Sequence, residues 1–127
     1  MVTKFGFEDL EVWKRGINFA KIVISLADEL NQWRKHFKIA AQLESAAVSV
    51  PSNIAEGTGR FSRKEFINFL YIARGSLYET VTLLTICRDS DWIRKEDFER
   101  LKFQASEINR MISGLVNFLK RSSSCKL

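Results

Sequence analysis

The sequence has few of the residues that break or cross-link a chain. Its 127 residues include one proline, six glycines and two cysteines. So few turn-forming residues exclude a sandwich or small barrel, whose many tight turns use glycine and proline. The cysteines, Cys87 in an apolar run and Cys125 in the polar tail, do not form a disulfide scaffold and fit a reducing cytoplasm.

Long apolar runs are also missing. The opening MVTKFGFEDL lacks the apolar region of a secretory signal, and no uncharged stretch reaches the ~20 residues that span a bilayer. Hydrophobic residues still make up 46% of the chain, enough to form a core. The length is typical of one domain, so we expect a single globular, cytoplasmic domain over residues 1–127.

Hydrophobic spacing predicts four amphipathic helices. Apolar residues recur at steps of three and four over roughly 8–31, 36–57, 63–88 and 95–121. Because the connections are short, we expect an all-α, antiparallel, up-down-up-down four-helix bundle. Its ordered part is expected over about 5–121, and the tail 122–127 is expected to fray.

The first predicted helix carries two apolar stripes instead of one. The stripes are Leu10, Trp13, Ile17, Ala20, Ile24 and Ala27, and beside them Phe19, Val23, Leu26 and Leu30. One core needs only one such face. We therefore expect this helix to pack partly against another chain.

Several residues predict where helices end or bend. Pro51 lacks an N–H donor and crowds the preceding turn, so the second helix is expected to kink or break there. The run Gly57-Thr58-Gly59 is expected to end that helix, since glycine readily adopts the left-handed conformation. Ser62 and Glu65 predict a capping box, with the Ser62 hydroxyl accepting from the Glu65 amide and the Glu65 carboxylate accepting from the Ser62 amide.

Few residues indicate catalysis or metal binding. The only histidine, His36, is interpreted as a polar residue at the start of the second helix, and the two cysteines lie too far apart for a metal knuckle. Cys87 has no nearby base and is interpreted as a core residue. We therefore expect no enzyme activity, no metal and no cofactor.

Four polar residues adjoin the apolar stripes of the second and third helices: Asn53, Glu56, Ser76 and Glu79. We interpret them as pairs that set the register of the bundle. The alternative is an enzyme site at a subunit interface, around Asn53, Glu56 and Glu79.

The net charge of +5 collects at one end of the predicted bundle. That end gathers residues 1–15, 56–65 and 117–127, with nine basic and five acidic residues. Residues 26–38 and 86–100 at the other end balance seven against seven. We call the charged end the basic pole, and its candidate phosphate-binding residues are Arg60, Arg63, Lys64, Lys120 and Arg121.

Two details of the basic pole favour a partner. Arg63 and Lys64 lie in the first turn of a helix, where the helix dipole disfavours cations by ~0.3–1 kcal/mol. Phe61 lies among these cations, where it either packs the loop onto the bundle as a staple or stacks on a base.

The residues around Pro51 resemble the signature of a known family. Gln42-Leu43, the run AAVSVPSNIAEG at 46–57 and Gly59-Arg60 are similar to the four-helix-bundle proteins encoded in bacterial 23S rRNA intervening sequences. The opening FEDLEVW at 7–13 and the motifs EF, FL, IA and GSLYE within 65–79 also match. The resemblance extends from about Phe5 to Arg121.

This resemblance implies an antiparallel four-helix bundle that assembles as a homopentamer in the cytoplasm, with no established enzyme activity. Related proteins serve as accessory factors of reverse transcriptases in retroelements, where a basic pentamer is thought to engage nucleic acid and the polymerase. This chain departs from the family in two places. Glu44 and Ser45 replace basic residues found in many members, and Arg94 stands where relatives often have a helix cap.

The sequence thus predicts a non-catalytic, homo-oligomeric helical bundle of the 23S rRNA intervening-sequence type. Its basic pole is expected to hold the backbone of RNA or DNA. The alternative is an accessory, protein-binding subunit of a reverse transcriptase or another polymerase.

Overall fold

Four long helices make up most of the residues that the structure describes. The computed structural model describes the backbone of residues 3–124 and the side chains of 3–32 and 35–121. Within these residues the protein is all-α, with no strand. The helices are α1 Glu11–Glu29, α2 Phe37–Thr58, α3 Arg63–Asp89 and α4 Lys95–Ser124.

Two predicted helix boundaries are wrong. The first helix is shorter than 8–31, because a 3-10 turn at Gly6–Asp9 precedes α1 and a π-helical turn at Leu30–Arg34 follows it. Helix α4 continues to Ser124, three residues beyond the predicted end at 121, and the fraying of the tail stays a prediction. The rest of the tail, with Cys125, lies outside the described residues.

The core takes one face from each helix. Its largest fully buried side chains are Phe19, Leu30, Leu43, Ile54, Leu70, Leu77, Leu84, Phe98, Leu101, Ile108 and Ile112. On α1 the stripe of Phe19 and Val23 enters this core. Trp13, Ile17 and Ile24 of the other stripe are only half-buried. The chain therefore leaves part of α1's apolar surface uncovered.

Contacts between α3 and α4 place the end of α4 beside the first half of α3. Lys120 lies over the ring of Tyr71, whereas Arg88, near the end of α3, lies over Phe98 at the start of α4. Helix α1 also contacts α2 and α4, and α2 contacts α3.

Helix α2 is continuous through Pro51, so of the two predicted alternatives, a kink or a break, the break is wrong. Pro51 is buried against α1, where a Cβ built on Gly16 would lie 3.4 Å from the Pro51 Cβ. Packing of the proline ring against a glycine stabilises the helix where its own hydrogen bonding is weakest.

The segment 57–59 ends α2 as predicted, because the helix ends at Thr58 and Gly59 is its C-cap residue. Gly57 is buried within the last turn. Gly59 follows with a φ of −86°, so the predicted left-handed glycine is absent. The Thr58 hydroxyl donates to the Ala55 carbonyl, and the Gly59 amide donates to the Glu56 carbonyl, which closes the turn without a left-handed residue.

The predicted capping box is half formed. Ser62 Oγ accepts a hydrogen bond from the Glu65 amide at 3.1 Å, as expected. The Glu65 carboxylate accepts from Ser62 Oγ at 3.4 Å instead of from the Ser62 amide.

The polar contact between α2 and α3 differs from the predicted pairs. Ser49 Oγ and Ser76 Oγ lie 2.7 Å apart, and Asn53 Nδ2 donates to Ser49 Oγ at 2.8 Å. Glu56 and Glu79 are exposed, because water solvates a carboxylate better than a half-buried helix contact does. Short hydroxyl and amide side chains therefore join the two helices.

None of the helices that the structure describes is long and apolar enough to cross a membrane.

Candidate nucleic-acid interface

The predicted phosphate-binding residues lie at exposed positions in the loop after α2, the first turn of α3 and the end of α4: Arg60, Arg63, Lys64, Lys120 and Arg121. The Lys120 Nζ is 5.8 Å from the centroid of the Tyr71 ring. Tyr71 is about 12 Å along α3 from Arg63, at ~1.5 Å per residue. The end of α4 therefore lies on the side of the molecule where α3 begins.

Arg60 is already engaged within the chain. Its Nη2 donates to Glu56 Oε2 at 2.6 Å, and its guanidinium lies 4.5 Å from the centroid of the Phe69 ring. The ion pair is solvent-exposed and contributes little to stability. It does neutralise Arg60, which makes this residue less available for a phosphate.

Arg63, Lys64 and Arg121 differ from Arg60, because none forms an ion pair with a residue whose side chain is described. Arg63 and Lys64 also follow the N-cap Ser62 directly, at the positive end of the α3 dipole. No carboxylate among the described side chains therefore compensates their charges, which leaves them available to an anion.

The acidic residues of the basic pole are largely paired. Lys4 Nζ lies 2.6 Å from Asp9 Oδ1, and this hydrogen-bonded pair raises the pKa of Lys4 and lowers that of Asp9. Arg15 bridges Glu11 and Glu107, at 3.5 and 2.9 Å. Local pairing leaves Arg63, Lys64 and Arg121 to dominate the field at this end.

Phe61 is fully exposed, so its interpretation as a staple is wrong for the monomer. A staple residue packs against the fourth residue of the following helix, which here is Phe66. Phe66 instead lies against Gly57 and the core. The result is an unsupported aromatic ring between Arg60 and Arg63.

His36 and Cys87 hold structural positions. His36 is the N-cap residue of α2, as predicted, and its ring stacks on Trp92 with centroids 3.5 Å apart. Cys87 is fully buried, and burial raises the pKa of its thiol to about 11. Among the described residues no three His, Cys, Asp or Glu side chains are grouped so that they could hold a metal ion.

Sequence reasoning missed two exposed surfaces. One lies on α3 and α4, where the exposed rings of Tyr71 and Tyr78 adjoin Arg74. The signal was the spacing of these three residues, at steps of three and four on one helix face. The other consists of the exposed aliphatic side chains Val48, Ile72 and Ile86.

Four helices and an exposed cationic end define an all-α protein with a candidate anion-binding surface. The chain matches the model of the 23S rRNA-intervening sequence protein family over residues 8–114 and belongs to that family, which confirms the resemblance described above.

The chain is also similar to a crystal structure of a protein of unknown function from the S23 ribosomal protein family of Bacteroides thetaiotaomicron. The two are 28% identical with a TM-score of 0.80, and the match covers 83% of this chain and 97% of that chain. No curated protein matches this chain significantly.

Proposed function

We propose that this protein is a non-catalytic, cytoplasmic homo-oligomer that binds the backbone of RNA or DNA through its basic pole. The observation that carries the proposal is the presence of Arg63, Lys64 and Arg121 at one end, exposed and without carboxylate partners among the described side chains. Phosphate binding would supply the missing counter-charge. The exposed Phe61 ring would add a stacking contact.

The proposed architecture is an antiparallel up-and-down bundle. Two contacts support it: Lys120 with Tyr71, and Arg88 with Phe98. Residue numbers rise along α3 as they fall along α4, as expected for neighbouring helices of opposite direction.

The proposed assembly is a homopentamer. Apolar side chains that the monomer leaves uncovered support self-association: Ile17 and Ile24, half-buried on α1, and Val48, Ile72 and Ile86, exposed on α2 and α3. Apolar side chains left at the surface of a monomer are buried when copies associate. Five poles would carry about +20 in total, enough to attract a phosphate backbone at low salt.

The test is fluorescence anisotropy with short RNA and DNA hairpins, from about 50 to 200 mM salt. The charge-reversed variant combines Arg63→Glu, Lys64→Glu and Arg121→Glu, and Arg60 stays because Glu56 already neutralises it. The matched control reverses three exposed cations at the other end: Lys38→Glu, Arg94→Glu and Lys95→Glu.

Both variants carry the same net charge, so only the position of the reversed residues differs. The proposal predicts that wild type binds with a steep salt dependence, that the pole variant loses at least about tenfold in affinity, and that the control changes about twofold or less. Equal loss in both variants would mean that binding follows overall charge, and the pole would not be the interface.

A second candidate function is an accessory subunit that binds a reverse transcriptase or another polymerase. The exposed Val48, Ile72 and Ile86 favour it, because protein contacts bury aliphatic surface whereas phosphates do not. Sedimentation of the wild type and of Ile72→Asp distinguishes self-assembly through this patch of exposed aliphatic side chains from binding of a partner protein. Dissociation of the variant would assign the patch to self-assembly, and an unchanged oligomer would leave it for a partner protein.

A further inference from the structure

A strip of tyrosines and cations follows the outer groove between α3 and α4. Tyr71 and Tyr78 are the only two tyrosines of the chain, and both lie on this strip. They are 41% and 53% exposed. Seven residues apart on one helix, their rings share a face and are separated by about 10 Å along the axis. We call the strip, made of Tyr71, Arg74, Tyr78, Lys102 and Lys120, the tyrosine strip.

Cations alternate with the rings along the strip. The Arg74 guanidinium lies 5.4 Å from the centroid of the Tyr71 ring, and the Lys120 Nζ lies 5.8 Å from the same centroid. Lys102 is exposed and lines a shallow groove of about 350 Å³ beside Tyr78. The groove also presents hydroxyl and amide groups, from Thr82, Ser106 and Asn109.

Arg74 is the least satisfied of these cations. It is half-buried, and its Nη2 donates to Ser113 Oγ at 2.8 Å. Its Nε is buried and has no hydrogen-bond partner among the described residues. No carboxylate of the described side chains pairs with it. A half-buried cation without a counter-ion is unfavourable, so an anion at this position would be stabilised.

Acidic residues are scarce around the strip. Glu107 is the only carboxylate in the sequence between Arg100 and Arg121. It bonds Arg15 of α1 at 2.9 Å, on the side of α4 that faces α1. Glu79, exposed and next to Tyr78 in sequence, is the one carboxylate of α3 near the strip. The strip therefore combines exposed aromatic rings with a surplus of positive charge.

We propose that the tyrosine strip binds single-stranded RNA or DNA, with bases stacked on Tyr71 and Tyr78 and phosphates held by Arg74, Lys102 and Lys120. Exposed bases can reach aromatic rings on a protein surface, whereas the bases of a duplex stack on one another. The inference rests on the proposed function, because a strand held at the basic pole continues onto the strip at Lys120.

The first experiment compares Tyr71→Leu/Tyr78→Leu with wild type. The probes are oligo(dT) and oligo(U) of about 15 nucleotides, within the span of known single-strand sites, and a duplex of equal length. We expect a loss of about ten- to hundredfold for the single strands and about twofold or less for the duplex. Phe37→Leu, which removes another exposed ring at the start of α2, is the matched control and should change neither.

The second experiment uses the small number of tyrosines. Protein labelled with 3-fluorotyrosine gives two ¹⁹F resonances, both from the strip. Both should shift when oligo(dT) is added at constant protein concentration. This measurement needs no substitution and so does not depend on a variant that folds.

The outcomes separate the strip from the pole. If the tyrosine variant binds single strands as wild type does, or the resonances do not move, the strip is not the site and the pole alone binds. If the resonances move with protein concentration instead of with oligonucleotide, the strip is an interface between copies, which overturns the inference. If wild type binds neither single strand nor duplex at the lowest salt, the proposed function itself fails.

Discussion

Gly57 of α2 lies so close to Phe66 of α3 that a Cβ at this glycine would be 2.8 Å from Phe66 Cδ1. The same Cβ would lie 2.9 Å from the Cβ of Phe69. Both distances are shorter than non-bonded carbon atoms tolerate. The approach of α3 to the end of α2, where the basic pole begins, therefore depends on the absence of a side chain at residue 57.

Gly57→Ala should destabilise the protein by about 1–3 kcal/mol, because the added methyl group overpacks the contact with Phe66. Gly75→Ala and Gly114→Ala are matched controls, since both glycines are helical and a Cβ at either would meet no atom within 4 Å. In both controls the free energy of unfolding should rise by about 0.5–1 kcal/mol, because alanine has a higher helix propensity than glycine. Urea unfolding measures all three, and a gain in Gly57→Ala would contradict the close contact.

The Ser49–Ser76 contact predicts a measurable coupling between α2 and α3. Ser49→Ala removes the partner of Ser76 Oγ and an acceptor of Asn53, so a loss of about 1–2 kcal/mol is expected. A double-mutant cycle with Ser76→Ala should give a coupling of at least ~0.5 kcal/mol. Ser52→Ala, at an exposed position of α2, is the control. Strictly additive losses would show that the two hydroxyls do not interact.

Two residues outside the helices adopt the left-handed conformation without being glycine: Lys35, with a φ of 56°, and Asp91, with a φ of 61°. Lys35→Gly should stabilise the protein by about 0.5–1 kcal/mol, since lysine is strained there and glycine is not. Asp91→Gly should stabilise the protein by less, because aspartate tolerates the left-handed region better than lysine does. Lys21→Gly, at an exposed position in the middle of α1, should instead lose about 1 kcal/mol. Thermal unfolding ranks the three variants.

Burial should protect the Cys87 thiol from reagents. With its pKa raised to about 11, very little thiolate forms at pH 8, and the side chain has no exposed surface. In a Cys125→Ser background, the native protein should react with a thiol reagent only as fast as it unfolds. Labelling as rapid as that of the denatured chain would contradict the buried position.

The same pKa shift predicts a loss of stability in alkali. The thiol in the unfolded chain titrates near its ordinary value of 9.0, below its folded value of about 11. The unfolded state therefore loses its proton first, and stability present below pH 9 falls as the pH rises towards 11. Over this pH range the free energy of unfolding should fall by about 2–3 kcal/mol. Comparison with Cys87→Ala removes the contribution of lysines and tyrosines, and the difference between the two pH profiles is the test.

Phe61→Ala should leave the stability of the monomer unchanged within about 0.5 kcal/mol, because the ring has no buried surface. If the ring stacks on a base, single-stranded oligonucleotides should bind several-fold more weakly. Phe37→Ala is the control for loss of an exposed ring. A large fall in melting temperature with dissociation of the oligomer would show that Phe61 packs against another copy instead.

Local patterns in the sequence were sufficient for the helices and for one cap. The α-helical period places Phe98, Leu101 and Ile108 on one face, and the structure buries all three. Ser62 caps α3 because capping depends only on residues three apart. The surplus of cations around Arg63 could be counted from the sequence as well.

Residues that depend on neighbours from other helices were predicted less well. Pro51 does not break α2, since it packs on Gly16 of α1, a contact between distant parts of the sequence. Phe61 is exposed because Phe66, the residue on which a staple would pack, lies against Gly57 instead. Ser49 was not predicted to contact α3, because its polar partner becomes available only when another helix brings one within hydrogen-bond distance.

The sequence by itself determined the four helices, their apolar faces and the excess of cations, because periodicity, capping and charge are properties of short segments. Only the tertiary structure decided which charges remain uncompensated. Arg60 pairs with Glu56 one turn away, whereas Arg74 of α3 donates to the hydroxyl of Ser113 from α4 and pairs with no described carboxylate. Packing also gathered Tyr71, Tyr78 and Lys120 into one strip, since residues about 50 positions apart meet only when helices lie side by side.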